Sequence, residues 1–302
     1  MTNEQRIKNL TPPQTVVDVV LDTDAYNEVD DQFALAYLLR SPERASVKAI
    51  YAAPFHNKRS SSPQDGMEKS YAEIEKLLAL SGEEREVFRG SPAYLSDEAT
   101  PVDSPAARDL AARARQYSPE RPLYVVAIGA ITNIASAILM EPLVAENTVL
   151  VWLGGHGHHL CEKPEFNMKQ DIAAARVVFS SGVPLVQLPC RGVVSHFTVS
   201  KLELLYWFAD KNPLSDYLAK NAIREADSYA EGKPWTRVIW DVTAVAWLFN
   251  SGDRFMESRL IPRPEPAYDN RYVHTEEGTP MRYVSYIYRD AILADMIEKI
   301  AK

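Results

Sequence analysis

The chain has 302 residues, of which 46% are hydrophobic and 25% charged, a balance typical of globular proteins rather than collagen-like, disordered or disulfide-scaffold chains. Its 33 Lys and Arg against 41 Asp and Glu give a formal net charge of −8. An acidic chain lacks the basic face that nucleic acids and anionic membranes require, so neither partner is expected.

The cysteine content and the N-terminal residues bear on the cellular compartment. Two cysteines are too few for a disulfide framework, which favours a reducing environment. Residues 1–13 contain no apolar core of a signal peptide, and no apolar stretch approaches the ~20 residues of a membrane span. These features predict a cytoplasmic protein.

Apolar runs alternate with helical patterns along the chain. Runs rich in β-branched residues predict buried strands over residues 16–21, 47–53, 123–128, 148–153 and 183–188, with a late strand over 283–288. Helical patterns cover residues 29–40, 65–80 and 172–180. Further helices are predicted after Gly129-Ala130 up to residue 140, over most of 201–249, and after the late strand. This alternation predicts a doubly wound α/β fold whose mostly parallel central sheet is flanked by helices. No composition shift marks a linker, so residues 1–302 are predicted to form one domain.

Ligands bind such sheets at the carboxyl ends of the strands, which draws attention to the loops over 22–31, 54–62, 129–133 and 154–170. The first loop carries five carboxylates within ten positions: Asp22, Asp24, Glu28, Asp30 and Asp31. Like charges this close repel each other unless a cation compensates them, and Ca²⁺ or Mg²⁺ prefers such oxygen ligands. Helix capping alone accounts for Asp30 and Asp31 but leaves Asp22 and Asp24 unexplained.

Two families have a strand that ends in Asp-x-Asp. In the haloacid-dehalogenase-like phosphatases the first Asp is a nucleophile, and Asp22 holds that position here. The segment from Asp22 to Asp31 resembles the signature of the inosine–uridine-type nucleoside hydrolases, with two extra residues before the Asp30-Asp31 pair. Only the second family accounts for that pair. The resemblance implies that Asp24 is a metal ligand and the general base, that Asp30 binds ribose, and that Asp31 is a second carboxylate on calcium.

Four further segments resemble motifs of the same family, in the same order, so that the resemblance spans residues 16–246. They lie at residues 129–135, 153–155, 165–167 and 240–244. The resemblance implies these roles: a backbone carbonyl at Thr132 as a metal ligand, Leu153 behind the sugar, Glu165 and Asn167 on ribose hydroxyls, and Asp241 as the last carboxylate of the calcium site.

Departures from the family pattern surround the base and the 5′ side of the sugar. The family's late His is Trp240 here, and the Asn that usually precedes the Glu-Phe-Asn triplet is His159. Residues 55–57 stand where Gly-Asn is usual, so Asn57 is the expected sugar contact in that loop. Trp240 is expected to stack on the leaving base, and His56, His159 and His196 are the candidate proton donors.

The loop that contains His156, His158, His159 and Cys161 has a competing interpretation. Histidine and cysteine side chains are ligands that zinc prefers. All four lie in one loop without helical spacing, and no distant His or Cys cluster completes them. Zinc is therefore the less favoured hypothesis, and His159 is expected to line the sugar pocket.

The resemblance therefore implies calcium-dependent hydrolysis of the N-glycosidic bond of ribonucleosides, which releases free base and ribose, with Asp24 as the general base. The resemblance implies a small-molecule nucleoside substrate and a homodimer or homotetramer. Three alternatives stay open: another ribosyl compound at the same calcium site, a Mg²⁺-dependent phosphatase that uses Asp22 and Asp24, and a nucleoside-binding protein without activity. A retained general base argues against the last of these.

Overall fold

The computed structural model describes residues 1–160 and 164–302, and its strands form one large sheet and two small ones. The strands are β1 (Val17–Thr23), β2 (Ala45–Ala52), β3 (Val87–Arg89), β4 (Leu123–Ala127), β5 (Thr148–Leu153), β6 (Leu185–Leu188), β7 (Thr198–Ser200), β8 (Thr236–Val238), β9 (Met256–Pro262), β10 (Glu265–Pro266), β11 (Tyr272–Val273) and β12 (Pro280–Ile287). The helices are α1 (Asn3–Asn9), α2 (Asp30–Leu39), α3 (Pro63–Ser81), α4 (Pro105–Ala114), α5 (Thr132–Met140), α6 (Leu143–Asn147), α7 (Phe166–Gln170), α8 (Ile172–Ser180), α9 (Lys201–Glu203), α10 (Pro213–Ala230), α11 (Val242–Leu248) and α12 (Arg289–Ile300).

The large sheet has eight strands in the order β3-β2-β1-β4-β5-β6-β12-β9. Every neighbouring pair is parallel except β12 and β9, which run antiparallel at one edge. The predicted mostly parallel, doubly wound sheet is confirmed. The chain moves outward from β1 to β3 on one side and returns to β4 on the other, which leaves a crevice between the carboxyl ends of β1 and β4.

Two apolar cores cover the opposite faces of the sheet, because side chains of successive strand residues alternate between its faces. Val19 and Leu21 of β1 belong to the core that contains α2, α3 and α11. Val20, between them, belongs to the core that contains α4, α5 and α8. Helix α2 is buried along its whole length, so its N-terminus is held in the interior next to the end of β1.

The structure departs from the predicted elements mainly at the sheet edges. Strand β3 has only three residues, and β9 is mostly exposed, so neither shows the apolar run that identifies a buried strand. The predicted helical segment over 201–249 contains β8, which pairs with β7 rather than extending a helix. Within the described part of the chain, no helix combines the length and apolar character needed to cross a bilayer.

Candidate active site

A cavity of about 440 Å³ lies at the carboxyl ends of β1, β4, β5 and β6. Its size and position are typical of small-molecule sites at the switch point of a doubly wound sheet. Its described lining consists of six carboxylates (Asp24, Glu28, Asp30, Asp31, Glu165, Asp241), five apolar residues (Ile128, Leu153, Pro164, Phe166, Trp240) and five others (Asn27, His156, Asn167, Cys190, Arg191).

Four buried aspartates meet at one end of this cavity. Asp24 follows β1, Asp30 and Asp31 begin α2, and Asp241 precedes α11. Carboxylates at a helix N-terminus are favoured by the positive end of the helix dipole, which helps α2 and α11 to hold three of them. Oxygens of Asp30, Asp31 and Asp241 all lie within 4.8 Å of one another. The predicted carboxylate cluster therefore forms around the end of β1.

The cluster strongly favours protonation when no cation is present. Burial raises the pKa of Asp31 to about 7, against hydrogen bonds from Thr23 and neighbouring carboxyls that lower it. Burial, and then repulsion from the neighbouring carboxylates, raises the pKa values of Asp24, Asp30 and Asp241 well above their ordinary range. Burial also raises the pKa of Asp22 to about 7. The charged cluster thus needs a positive charge beside it.

The oxygens of the cluster fit a metal ion. Within the described residues, Oδ2 of Asp24 and Oδ1 of Asp30 are buried and have no hydrogen-bond partner. Buried polar atoms are rarely left unpaired, and carboxylate oxygens are the ligands that hard divalent cations prefer. Asp24 is outside the group of three carboxylates that lie within 4.8 Å, but its carboxyl contacts that of Asp31.

Arg237 places a positive charge next to the aspartate cluster. Its guanidinium is 2.8 Å from a carboxylate oxygen of Glu28 and 3.2 Å from one of Glu225, and its side chain is 14% exposed. Its charge acts to lower the pKa of Asp30, although burial outweighs that effect. One guanidinium shared by several carboxylates cannot neutralise the cluster, so the requirement for a cation remains.

Glu165 and Asn167 of the cavity lining are held in place by hydrogen bonds to the backbone. Glu165 caps α7: Oε1 accepts the N–H of Asn167 at 2.9 Å, and Oε2 accepts those of Gly155 and Met168 at 2.8 and 2.9 Å. The Asn167 Nδ2 donates to the carbonyls of Ile128 and Leu153, each at 3.0 Å. Both amide hydrogens of Asn167 are thereby used, which leaves its Oδ1 as an acceptor for a hydroxyl.

Three residues predicted for the site are not among those that line the cavity. Asn57 instead donates its Nδ2 to Oδ1 of Asn27 at 2.6 Å, and Asn27 is the amide that lines the cavity. The Thr132 hydroxyl donates to Asp171 at 2.7 Å. His159 is exposed. The other predicted residues, Asp24, Asp30, Asp31, Leu153, Glu165, Asn167, Trp240 and Asp241, all line the cavity.

The described histidines of the 156–159 loop point to different environments and do not form a zinc site. His156 lines the cavity, whereas the His158 ring lies 4.3 Å from that of Tyr272 and its Nε2 is 2.9 Å from Oε1 of Gln187. Among the described residues, the side chains that lie close enough together to hold a metal ion are all aspartates. Cys161, the fourth zinc ligand considered, lies outside the described residues.

The sequence places Arg191 directly after a predicted strand, from which it could reach the pocket, but it did not single out Asn27 or His156 as lining residues. Asn27 lies inside the first loop, where the two extra residues obscured its alignment with the family pattern. His156 follows the Gly154-Gly155 turn, and Arg191 follows the end of β6. All three residues lie in loops that follow a parallel strand, and this position is the feature of the sequence that indicates a place near the cavity.

The fold and the site define an α/β protein with a carboxylate cluster able to hold a cation beside a small-molecule cavity. A family model described as inosine-uridine preferring nucleoside hydrolase matches residues 19–282. The chain therefore belongs to the inosine-uridine preferring nucleoside hydrolase family.

Individual relatives agree with this assignment. A 67-residue segment, 21% of the chain, is 39% identical to the putative pyrimidine-specific ribonucleoside hydrolase RihB of Shigella boydii serotype 4, and it spans 28% of that relative. A plant nucleoside hydrolase, the PpNRh1 enzyme, superposes with a TM-score of 0.76 at 16% identity, over 96% of this chain and 99% of its own. The purine-preferring ribonucleoside hydrolase of Gardnerella vaginalis superposes with a TM-score of 0.75 at 17% identity, over 94% of this chain and 98% of its own. At these identities the two structures show the shared fold.

Proposed function

We propose that this protein hydrolyses the N-glycosidic bond of ribonucleosides, with calcium as its metal and Asp24 as the general base. The observation that carries the proposal is the convergence of Asp24, Asp30, Asp31 and Asp241 in the cavity that the acceptor oxygen of Asn167 also lines. Membership of the nucleoside hydrolase family supports the same reaction. Release of reducing sugar from ribonucleosides is the experiment that tests it.

Asp24, Asp31 and Asp241 would hold the calcium ion, with a backbone carbonyl at Thr132 as the proposed fourth protein ligand. Asp30 lies close enough to Asp31 and Asp241 to serve as a ligand as well as a ribose contact. When bound, calcium supplies positive charge that offsets the carboxylates and makes a water molecule more acidic. All of these groups offer oxygen, which suits calcium better than zinc.

Asp24 would accept the proton from the attacking water. Asp24 lines the cavity, and its Oδ2 is buried and has no partner among the described residues. A positioned base of this kind contributes about 10²–10⁴-fold to a hydrolysis rate. A Cβ added at position 129 would lie 3.3 Å from Oδ1 of Asp24, so Gly129 leaves room for the carboxylate.

Ribose hydroxyls would be held by Asp30, Glu165 and Asn167. Oε1 of Glu165 accepts a single backbone N–H and retains a lone pair for a hydroxyl, and Oδ1 of Asn167 accepts another. Asn27, rather than Asn57, faces the cavity, and Asn57 fixes its orientation because Asn57 donates to Oδ1 of Asn27. The Nδ2 of Asn27 is thereby left to donate to the sugar.

The leaving base requires stacking or a proton. Trp240 lines the cavity directly before Asp241 and offers an indole face to a planar base. Among the histidines considered, His159 is exposed, and Nε2 of His196 lies 3.1 Å from the carbonyl of Ile287 outside the cavity lining. We therefore propose Trp240 as the main contact of the base, with His156 replacing His159 as the histidine nearest the substrate.

The phosphatase alternative finds no support in the position of Asp22. Its side chain is buried within β1 and is not among the residues that line the cavity. Its Oδ1 accepts Nδ2 of Asn133 at 2.7 Å, which orients the carboxyl toward α5. A nucleophile must reach the substrate, and Asp22 does not line the cavity.

Two further expectations stay predictions. They are the use of another ribosyl compound as substrate at the same calcium site, and assembly into a homodimer or homotetramer.

Calcium and pH are expected to act together on stability. The carboxyls of Asp22 and Asp31 titrate near pH 7 when folded but near about 3.9 when unfolded, so the metal-free protein binds more protons folded than unfolded. Its free energy of unfolding therefore falls as the pH rises through 7. His156 and His158 have pKa values lowered to about 4 by burial and act oppositely, but only below about 6.5.

We expect the Tm measured in chelator to fall between pH 6.5 and 8, and the rise in Tm on adding calcium to grow over the same range. Differential scanning calorimetry of the chelated and calcium-loaded protein gives both quantities. The variant Asp241→Asn removes one carboxylate and should show a smaller fall in chelator. A Tm that rises with pH in chelator would contradict this account.

A further inference from the structure

The cavity also has hydrogen-bond donors on the loops that follow β5 and β6. Asp24 follows β1, whereas Arg191 follows β6, three strand spacings or about 14 Å along the sheet. His156, after β5, lies beside Arg191. The aspartates and their metal would hold a ribose diol at the β1 end, so whatever part of a substrate extends toward β6 meets His156 and Arg191.

The hydrogen bonds of His156 fix which ring nitrogen carries the hydrogen. The backbone N–H of Arg191 donates to Nδ1 of His156 at 3.3 Å, so the neutral ring has its hydrogen on Nε2. The ring is 9% exposed and lines the cavity, and Nε2 has no acceptor among the described residues. Burial, and then the charge of Arg191, lowers the pKa of His156 to about 4, so the ring stays neutral near pH 7. His156 is thus a neutral donor.

Arg191 is held by its backbone, and its side chain is exposed at the edge of the cavity. The Arg191 carbonyl accepts the N–H of Gly157 at 2.8 Å, which together with the contact to His156 ties the two loops together. Gly192 follows with a φ of +89°, a conformation that favours glycine and turns the chain directly after Arg191. Within the described residues, Arg191 is the one arginine or lysine that lines the cavity, and no carboxylate forms an ion pair with it.

We propose that Arg191 and His156 form a subsite for an anionic substituent of the substrate, and this rests on the proposed ribonucleoside hydrolysis. A phosphate or carboxylate offers only acceptor oxygens, which match an arginine and a fixed N–H donor. Glu28, which also lines the cavity, is already paired with Arg237, so the cavity presents carboxylates to the sugar and donors to the substituent. The charge is carried either on the 5′ carbon of the sugar, as a phosphate, or on the base, as a carboxylate.

Two matched substrate series separate these sources. Uridine is compared with uridine 5′-monophosphate and with orotidine, which carries a carboxylate on the base, and inosine is compared with inosine 5′-monophosphate. Dissociation constants from titration calorimetry and kcat/KM from sugar release are measured on the calcium-loaded protein. The variants are Arg191→Gln, Arg191→Lys, and the surface control Arg108→Gln, which removes an exposed arginine paired with Asp103 outside the cavity.

We expect one anionic substrate to bind about tenfold or more tightly than its neutral parent. Arg191→Gln should abolish that ratio, Arg191→Lys should retain part of it, and Arg108→Gln should leave it unchanged. Neutral parents that bind at least as well as every anionic partner would overturn the proposal, as would a ratio that survives in Arg191→Gln. Sugar release without an anionic preference would refute the subsite alone. An Arg191-dependent preference in binding without any sugar release would refute the proposed hydrolysis and leave the subsite supported.

Discussion

Replacing Asp24 by Asn is expected to lower kcat for ribonucleoside hydrolysis by about 10³-fold or more, because the change removes a proton acceptor and a metal charge together. The side chain keeps its shape and its place after β1, so the fold is expected to persist. Steady-state kinetics with sugar detection measures the loss. Calcium titration of the same variant separates the two causes, since a loss that saturating calcium does not restore belongs to the base.

Asp22→Asn is the matched control for Asp24→Asn. Asp22 lies two positions earlier, within β1, and is equally buried, but it is outside the cavity lining and accepts a hydrogen bond from Asn133. Its replacement is expected to affect stability more than turnover. The phosphatase hypothesis predicts the reverse order, with Asp22→Asn as the inactivating change. A turnover of Asp24→Asn within about tenfold of the parent would place the activation of water elsewhere.

The second large effect is expected at Trp240. Stacking of an indole on a base contributes about 1–3 kcal/mol. The variant Trp240→Ala is therefore expected to lose about 10- to 100-fold in kcat/KM on natural nucleosides. The same variant should lose much less on p-nitrophenyl riboside, whose leaving group departs without protonation. Parallel kinetics on both substrates gives the comparison.

The conservative variant Trp240→Phe tests the physical reason for that loss. A phenyl face still stacks, so this variant should recover much of the activity on nucleosides that Trp240→Ala loses. Trp240 also packs against the apolar core and immediately precedes Asp241, so it can act by holding that carboxylate. Equal losses on nucleosides and on p-nitrophenyl riboside would assign it this positioning role and move the search for base activation to His156.

Much of the fold followed from the sequence because the central strands are buried on both faces. Such strands appear as continuous apolar runs, and the predicted strand over 148–153 and helix over 172–180 coincide with β5 and α8. Edge strands carry no such signal. Strand β9 is mostly exposed and pairs with β12, from which β10 and β11 separate it in the chain, so its existence depends on that pairing rather than on a local apolar pattern.

The aspartate cluster was predictable from the sequence, but two other residues of the cavity lining, Asn27 and His156, were not. Parallel strands bring their carboxyl ends to one edge, so any carboxylate directly after β1 is placed near the switch point. Which residue of a loop faces the cavity depends on backbone turns instead. Gly155, with a φ of +80°, and the hydrogen bond from Arg191 direct His156 rather than His159 inward. The pairing of Asn57 with Asn27 likewise depends on how two loops meet.

The most direct test of the central claim is a panel of purine and pyrimidine ribonucleosides incubated with the calcium-loaded protein. Reducing sugar, free base and, from phosphate esters, inorganic phosphate are measured in parallel. The account predicts equal amounts of free base and ribose from at least one nucleoside, no release of inorganic phosphate, and loss of the activity in Asp24→Asn. Release of phosphate from esters without any free base, or undiminished base release by Asp24→Asn, would contradict it.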